Sequence, residues 1–451
     1  MRLCFINPPV EDFYYTSARS QPIGLLYVVA ACKKAGHEVS LINCVTGKKK
    51  PVRVPAQFSY LEKFINHSDE KYRFPFKEYH RFGLGYDEIR KRIKETDAEA
   101  FCVSSSFTTY HEEVEKIIGI IKREKKGTPV IAGGYHASLY PEHFLKNLDT
   151  DYVIFSEGEI GMVELLVYLG GEMNIDAVSN LVHESQGRVI SNESRLSESI
   201  DQFDPPAREY LKKSDFTFYG KRGTSLVASR GCPNGCSFCT SREMWKTHRR
   251  RSAENIVQEM RRCLLEFGVS WFNFEDDNLF PDRKSAMDLL QPLIEFRNSR
   301  RDEIEFTAMN GLSAECLDEE IFVLMKRAGF REINISLATK SAELQSRLKR
   351  PFDTEKFRQI VAWAKRHGLA PRAYFILGLP EQTKEEIEDT ISFLSSLNIK
   401  FFPSVYYNVK SPPDEWKTQR SSAFFNETEH LSREDLLYYF NYSRKILSEK
   451  L

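Results

Sequence analysis

The stretch RGCPNGCSFCTSREMW, Arg230–Trp245, sets three cysteines in the spacing C-x3-C-x2-C: Cys232, Cys236 and Cys239. A structural zinc site wants four ligands, commonly from two C-x2-C pairs. One such pair is present, and no Cys or His inside the motif completes a tetrahedron; His248 is the nearest candidate. Three thiolates on a short loop suit instead a 4Fe-4S cluster with one iron left open. Gly231, Pro233 and Gly235 let such a loop bend tightly. The other six cysteines (Cys4, Cys32, Cys44, Cys102, Cys263 and Cys316) sit among apolar neighbours, where free Cys packs as a small hydrophobe. In a reducing cytosol the clustered three are ligands rather than disulfide partners.

Outward from the motif, the chain reads as a series of β-rich runs and helical patterns. Runs near 224–229, 270–275, 303–308, 332–337, 371–377 and 399–407 are separated by helical segments. In one of these, Ile256, Val257, Met260, Leu264 and Phe267 form a single apolar stripe. Six β/α units predict a partial (β/α)6 barrel over residues 223–409, with chemistry at the C-terminal ends of its strands. The cysteine loop directly follows the first of them.

Upstream, 2–7, 38–43, 99–104, 128–132 and 151–155 are short apolar runs. Ile23, Leu26, Tyr27 and Ala30 share one helical face, as do Val114, Ile117, Ile118 and Ile121. Alternating strands and helices predict a doubly wound α/β domain over 1–200, with a parallel sheet and a ligand crevice beyond the strand C-termini. Residues 46–85 show no clear period and read as an irregular excursion near the site or a substrate-facing lid. A hairpin is expected in 178–191, a linker over 201–222 and a C-terminal extension over 410–451.

Composition excludes several classes. A chain of 451 residues is too long for one core. Lys plus Arg and Asp plus Glu are 64 each, and the basic runs are short (Lys48 to Lys50, Arg249 to Arg251), so no nucleic-acid partner is expected. The apolar run Gly24–Cys32 is far short of the roughly 20 residues that span a bilayer. Met1 leads straight into RLCFIN with no signal-peptide pattern, so the expected location is the cytoplasm.

The loop, with Phe238 before its last cysteine, resembles the signature of the radical S-adenosylmethionine (SAM) enzymes, and its place after the first barrel strand matches as well. The resemblance implies that Cys232, Cys236 and Cys239 hold the cluster and that Phe238 lies against SAM. It further implies that FEDDNLF, with Glu275, Asp276 and Asp277, occupies the acidic motif that binds the methionine ammonium. YFILGLPEQT, with Gly378, is similar to the family's region near the adenine. INISLATKS departs from the commoner ending of the fourth strand; there Ser336 is assigned to the ribose or carboxylate.

The first half is similar to the cobalamin-binding domain that precedes many such barrels. SSSFTTYHEEV, IAGGYHAS and SEGE carry the likeness. It implies that Ser104, Ser105, Ser106, Gly133, Gly134, Tyr135 and Glu157 line the cofactor, with Asn7, Pro8, Tyr14 and Tyr15 from the loop after the first strand. That loop, Asn7–Pro22, has no histidine, so the cobalt is expected to lack a histidine ligand. His111 and His136, in other loops, read as surface or tail contacts.

Together the halves imply an oxygen-sensitive cobalamin-dependent radical SAM methyltransferase. In that family the reduced cluster cleaves SAM to a 5′-deoxyadenosyl radical, which takes hydrogen from an unactivated carbon, or phosphorus, of the substrate; methylcobalamin then supplies the methyl group. The implied partners are a small-molecule or peptide substrate and a one-electron donor such as flavodoxin or ferredoxin. The alternatives are a cyclase or rearrangement enzyme with the same cofactors, and a non-catalytic cobalamin sensor, against which the intact cysteine loop argues.

Overall fold

The computed structural model describes residues 1–15, 21–46, 48–218, 220–300 and 303–449. The part of the Asn7–Pro22 loop from 16 to 20 lies outside them. Two compact units divide the chain: 1–54, 78–215 and 412–417 in one, and 55–77, 216–411 and 418–451 in the other.

In the first unit the elements are β1 (Arg2–Asn7), β2 (Val10–Asp12), α1 (Ile23–Lys34), β3 (Glu38–Asn43) and β4 (Lys49–Pro51). After α2 (Glu62–Ile65), which belongs to the second unit, come β5 (His80–Phe82), α3 (Tyr86–Glu95), β6 (Ala100–Ser104) and α4 (His111–Glu124). Then follow β7 (Val130–Gly133), α5 (Tyr135–Leu139), α6 (Pro141–Asn147), β8 (Tyr152–Ile154), α7 (Gly158–Leu169), β9 (Leu181–Ser185) and β10 (Arg188–Ser191). A seven-stranded sheet runs in the order β10-β9-β8-β7-β6-β1-β3.

The two-residue period of β1 sends Cys4 and Ile6 to one face, where Ile89, Ile93, Val114, Ile117 and Ile121 pack. Leu3 and Phe5 go to the other face, against Val29, Met162 and Leu165. Helices thus cover both faces, as a doubly wound domain requires. Each fully buried aliphatic side chain contributes roughly 1.5–3 kcal/mol. The five expected strands pair in parallel, and one edge is antiparallel: β9 pairs with β8 and with β10 in that sense. The hairpin expected in 178–191 supplies these strands.

The 46–85 excursion is partly regular. Its β4 and β5 join β2 in a small antiparallel sheet, order β2-β5-β4, while residues 55–77 belong to the second unit.

The second unit continues with β11 (Thr217–Phe218), β12 (Lys221–Leu226), β13 (Ser229–Arg230), α8 (Ser241–Met244), β14 (Arg249–Arg250) and α9 (Ala253–Phe267). Next are β15 (Trp271–Phe274), α10 (Arg283–Asn298), β16 (Glu305–Ala308), α11 (Glu319–Ala328) and β17 (Glu332–Ala338). It closes with α12 (Ala342–Arg347), α13 (Thr354–Arg366), β18 (Ala370–Leu377), α14 (Lys384–Ser396), β19 (Lys400–Val405) and α15 (Arg433–Glu449). The helix α9 begins where Ser252 Oγ accepts the Asn255 N–H and ends at Gly268, φ +64°.

Strands β12, β15 and β16 form one parallel ladder and β17, β18 and β19 another. Isolated parallel bridges, Phe306 to Phe330 and Leu312 to Ile335, connect the two. Six β/α units in chain order make the partial barrel, with its weakest seam between β16 and β17. No helix among the described residues is long and apolar enough to cross a membrane.

Candidate functional site

The cysteine loop is stemmed by a short ladder, Ser229 opposite Arg250 and Arg230 opposite Arg249. At its base Gly231 has φ +84°, and a Cβ there would stand 2.8 Å from the Thr247 carbonyl oxygen. Only glycine fits that turn. Phe238 packs against Leu344, Leu348 and Leu379, and Ser237 N–H donates to the Leu348 carbonyl at 3.0 Å. The aromatic residue therefore anchors the loop to α12 and to the turn after β18.

Cys236 is buried, Cys232 half-buried and Cys239 the most open of the three. Loss of water pushes the Cys232 and Cys239 thiols up, and both feel Asp277 and Cys236 as negative neighbours. Metal coordination deprotonates such thiols outright. Arg350 Nη1 donates to Cys236 Sγ at 3.4 Å, and its Nη2 donates to the Ser336 carbonyl at 3.4 Å. Among the described residues, no three His, Cys, Asp or Glu side chains converge on one ion. Thiolates of a cuboidal cluster bind separate irons, so convergence on one ion is not what such a site needs.

The three carboxylates after β15 have different surroundings. Glu275 accepts from Asn273 Nδ2 at 2.6 Å and Ser225 Oγ at 3.2 Å. Asp276 is buried and accepts the Ala228 N–H at 3.1 Å and Ser229 Oγ at 2.5 Å. Burial pushes its carboxyl up to about 6 despite these bonds. It is tied to the take-off of the cysteine loop. Asp277 is exposed and accepts a hydrogen bond from Ser241, just beyond Cys239. Beyond β18, Gly378 takes φ +79° and gives its N–H to Gln382 Oε1 at 2.8 Å.

In the first unit, sheet order sets β7, β6 and β1 side by side. Gly133 and Gly134, Ser104 to Ser106, and Asn7 with Pro8 therefore gather at neighbouring strand ends. Gly134 has φ +104°, and a Cβ there would meet the Ser105 carbonyl at 2.8 Å. Tyr135 follows at the start of α5. Ser105 Oγ is buried without a hydrogen-bond partner among the described residues. Such a cradle, with an orphaned hydroxyl, fits a bound polar chain. Tyr14 is exposed, and Tyr15 lies 5.4 Å from the Phe82 ring. Glu157 is fully buried and its carboxylate accepts the Ser197 N–H at 2.6 Å, so it holds the fold together at that point. His111 and His136, read as surface or tail contacts, are 8% and 0% exposed, which corrects the surface reading.

Sequence reasoning missed Arg350, which reaches Cys236 from 114 residues away and sits in no pattern that marks it, and it did not single out Gln382 within YFILGLPEQT.

Two family profiles match the chain: the radical SAM superfamily over residues 226–394 and the B12 binding domain over 75–166. Cytidylyl-2-hydroxyethylphosphonate methyltransferase of Streptomyces wedmorensis is 25% identical over 414 residues, covering 84% of this chain and 73% of that protein. Anaerobic magnesium-protoporphyrin IX monomethyl ester cyclase of Rubrivivax gelatinosus is 24% identical over 327 residues, 70% of this chain and 57% of that protein. Among solved structures, the radical SAM methyltransferase TsrM from Kitasatospora setae, bound to tryptophan and a SAM analogue, superposes with a TM-score of 0.67. That match has 16% identity and covers 90% of this chain and 72% of TsrM, and it shows a shared fold.

Proposed function

We propose that this chain, which belongs to the cobalamin-dependent radical SAM enzymes, is a methyltransferase acting on an unactivated carbon, or phosphorus, of a small-molecule or peptide substrate. The observation that carries the reading is the three-thiol loop leaving the first strand of a six-unit partial barrel, in a chain that also matches a B12 binding domain. A methyltransferase relative aligned over 84% of the chain supports the outcome. Cyclisation with the same cofactors is the second reading, favoured by the cyclase relative.

Bound here, a 4Fe-4S cluster, SAM and cobalamin would supply the one-electron, hydrogen-abstraction and methyl-transfer chemistry. The chain's residues would hold and orient them. Cys232, Cys236 and Cys239 would hold the iron, with the Arg350 guanidinium donating a hydrogen bond to the Cys236 sulfur. Asp277 offers an open carboxylate to the methionine ammonium, while Asp276 secures the loop. Phe238, Glu275, Ser336 and Gly378 line the remainder of the SAM site. Asn7, Pro8, Tyr14, Tyr15, the serines 104–106, Gly133, Gly134 and Tyr135 take the cobalamin. The partner in reduction is a one-electron donor such as flavodoxin or ferredoxin, and the compartment is the cytoplasm, in keeping with nine free cysteines.

The division of labour between the two aspartates gives a prediction. Asp277→Ala removes a charge-assisted partner, so SAM binding should weaken by roughly 1.5–3 kcal/mol with iron content unchanged. Asp276→Ala should lower iron content first. Equilibrium dialysis with labelled SAM, alongside an iron assay, separates them; unaltered SAM binding in Asp277→Ala rejects its role.

The function is tested with methyl-deuterated SAM, reduced reconstituted protein and a substrate panel that begins with nucleotidylated phosphonates. A product heavier by one deuterated methyl group is expected. A product changed without gaining that group moves the reading to cyclisation.

A further inference from the structure

The sequence SPPDEWK, Ser411–Lys417, crosses a boundary that its neighbours do not. Residues 412–417 belong to the first unit, whereas 216–411 and 418–451 belong to the second. The crossing is anchored by two side chains that are each 1% exposed, Trp416 and Lys417.

Trp416 fills a cage of imidazoles. Its ring lies 5.3 Å from His111, 4.7 Å from His136 and 5.0 Å from His143, all nearly perpendicular to it, and 4.4 Å from Tyr140. Edge-to-face packing of this kind adds to the area that a tryptophan buries. Lys417 forms an ion pair with Glu113, which is 0% exposed, and its carbonyl accepts Thr109 Oγ1 at 3.2 Å. A buried ion pair is weak evidence for net stability, but removing one partner strands the other charge and is strongly destabilising.

The cage leads to the serine run. The backbone N–H of His136 donates to the Ser105 carbonyl at 2.9 Å. His136 Nδ1 meets Thr108 Oγ1 at 3.2 Å, and His111 Nδ1 donates to the Thr108 carbonyl at 2.9 Å. The segment 104–111 is thus gripped at Ser105, Thr108 and Thr109 by groups that Trp416 and Lys417 hold in place.

The geometry points to Trp416 and Lys417 as positioning residues for the cobalamin site, acting through the Ser104–His111 turn without touching the cofactor. This rests on the cobalamin reading above.

A pH dependence accompanies the role. The groups facing the cage are Glu112, Glu113 and Glu115 of α4, His136 of α5, Tyr140, His143 of α6, and Lys417. Burial pushes His136 down to about 3 and lowers His111. A histidine held neutral in this way opposes loosening above its ordinary value of about 6.5 and loses that contribution as pH falls below it. Cobalamin retention should decline as pH falls from about 7 towards 5, because imidazoles released from the cage take up protons.

The test compares hydroxocobalamin affinity, by dialysis and absorbance, with iron per chain in the full-length reconstituted protein. Trp416→Ala and Lys417→Met should each weaken cobalamin binding by about ten-fold or more, with iron content as in wild type. Trp416→Phe should restore most of the affinity, and wild-type affinity should fall with pH in the stated direction. Wild-type affinity in both Trp416→Ala and Lys417→Met overturns the inference, as does a parallel loss of iron and cobalamin, which would mark general unfolding. A wild-type protein that binds no hydroxocobalamin overturns the cobalamin reading instead.

Discussion

Protein carrying Cys232→Ala, Cys236→Ala and Cys239→Ala, reconstituted anaerobically, is expected to bind no cluster and to form no 5′-deoxyadenosine from SAM. Wild type under the same treatment should hold about four irons and four sulfides per chain. The expectation rests on a loop whose shape allows few alternatives. Gly231 permits the turn at its base, Phe238 pins its far side, and Asp276 fixes the residues that lead into it. Removing the thiols leaves this frame without ligands. Cys263→Ala and Cys316→Ala should keep their iron. Cys263 is 1% exposed on the buried face of α9, and burial pushes the Cys316 thiol up to about 12, so neither is an available thiolate. Iron and sulfide assays check both halves, and full iron in the triple variant would end the cluster assignment.

What was legible in the sequence was what local pattern determines. The cysteine spacing, the strand runs of both units and the stripe of α4 are properties of a few consecutive residues, and the structure reproduces them. Of the stripe expected on α9 only Ile256 and Met260 are buried, beside Glu259 and Cys263, while Val257, Leu264 and Phe267 are half-buried. Features built by distant pairing were not legible. The three-residue strands β4 and β5 are too short to show a period and exist because β2 pairs alongside. The sequence left Asp276 and Asp277 equivalent; only tertiary placement turns one inward to Ala228 and leaves the other exposed. Glu157, assigned to the cobalamin from SEGE, is buried with Oε2 accepting the Ser197 N–H, 40 residues on, a partner that no local pattern announces. His111 and His136, read as surface or tail contacts, pack instead of lying at the surface, against a tryptophan near the other end of the chain. Lys417 meets Glu113 across 304 residues, a pairing that no local pattern announces.

The same logic gives the largest stability effect. Arg251 ends the ladder that stems the cysteine loop, and its side chain is 2% exposed while that of Glu259, on α9, is 1% exposed. The guanidinium pairs with the Glu259 carboxylate at 2.6 Å, donates to the Val227 carbonyl at 2.9 Å and to Asn255 Oδ1 at 2.8 Å. Its backbone N–H also donates to the Ala228 carbonyl at 2.9 Å. One side chain therefore joins the end of β12, the loop stem and α9. Glu259→Ala leaves a buried guanidinium unpaired, which should cost about 3–5 kcal/mol. Denaturant unfolding of the second unit should report it as a lower midpoint at unchanged slope, and iron loading should fall because the stem no longer holds the loop. The double variant Arg251→Met, Glu259→Leu removes both charges at similar volume and should recover most of the lost stability, since it is the lone charge rather than the missing pair that is costly. If Glu259→Ala unfolds at the wild-type midpoint, water reaches the guanidinium and the pair is not the tie that its burial implies; if the double variant regains stability but not iron, the pair orients the loop rather than merely supporting it.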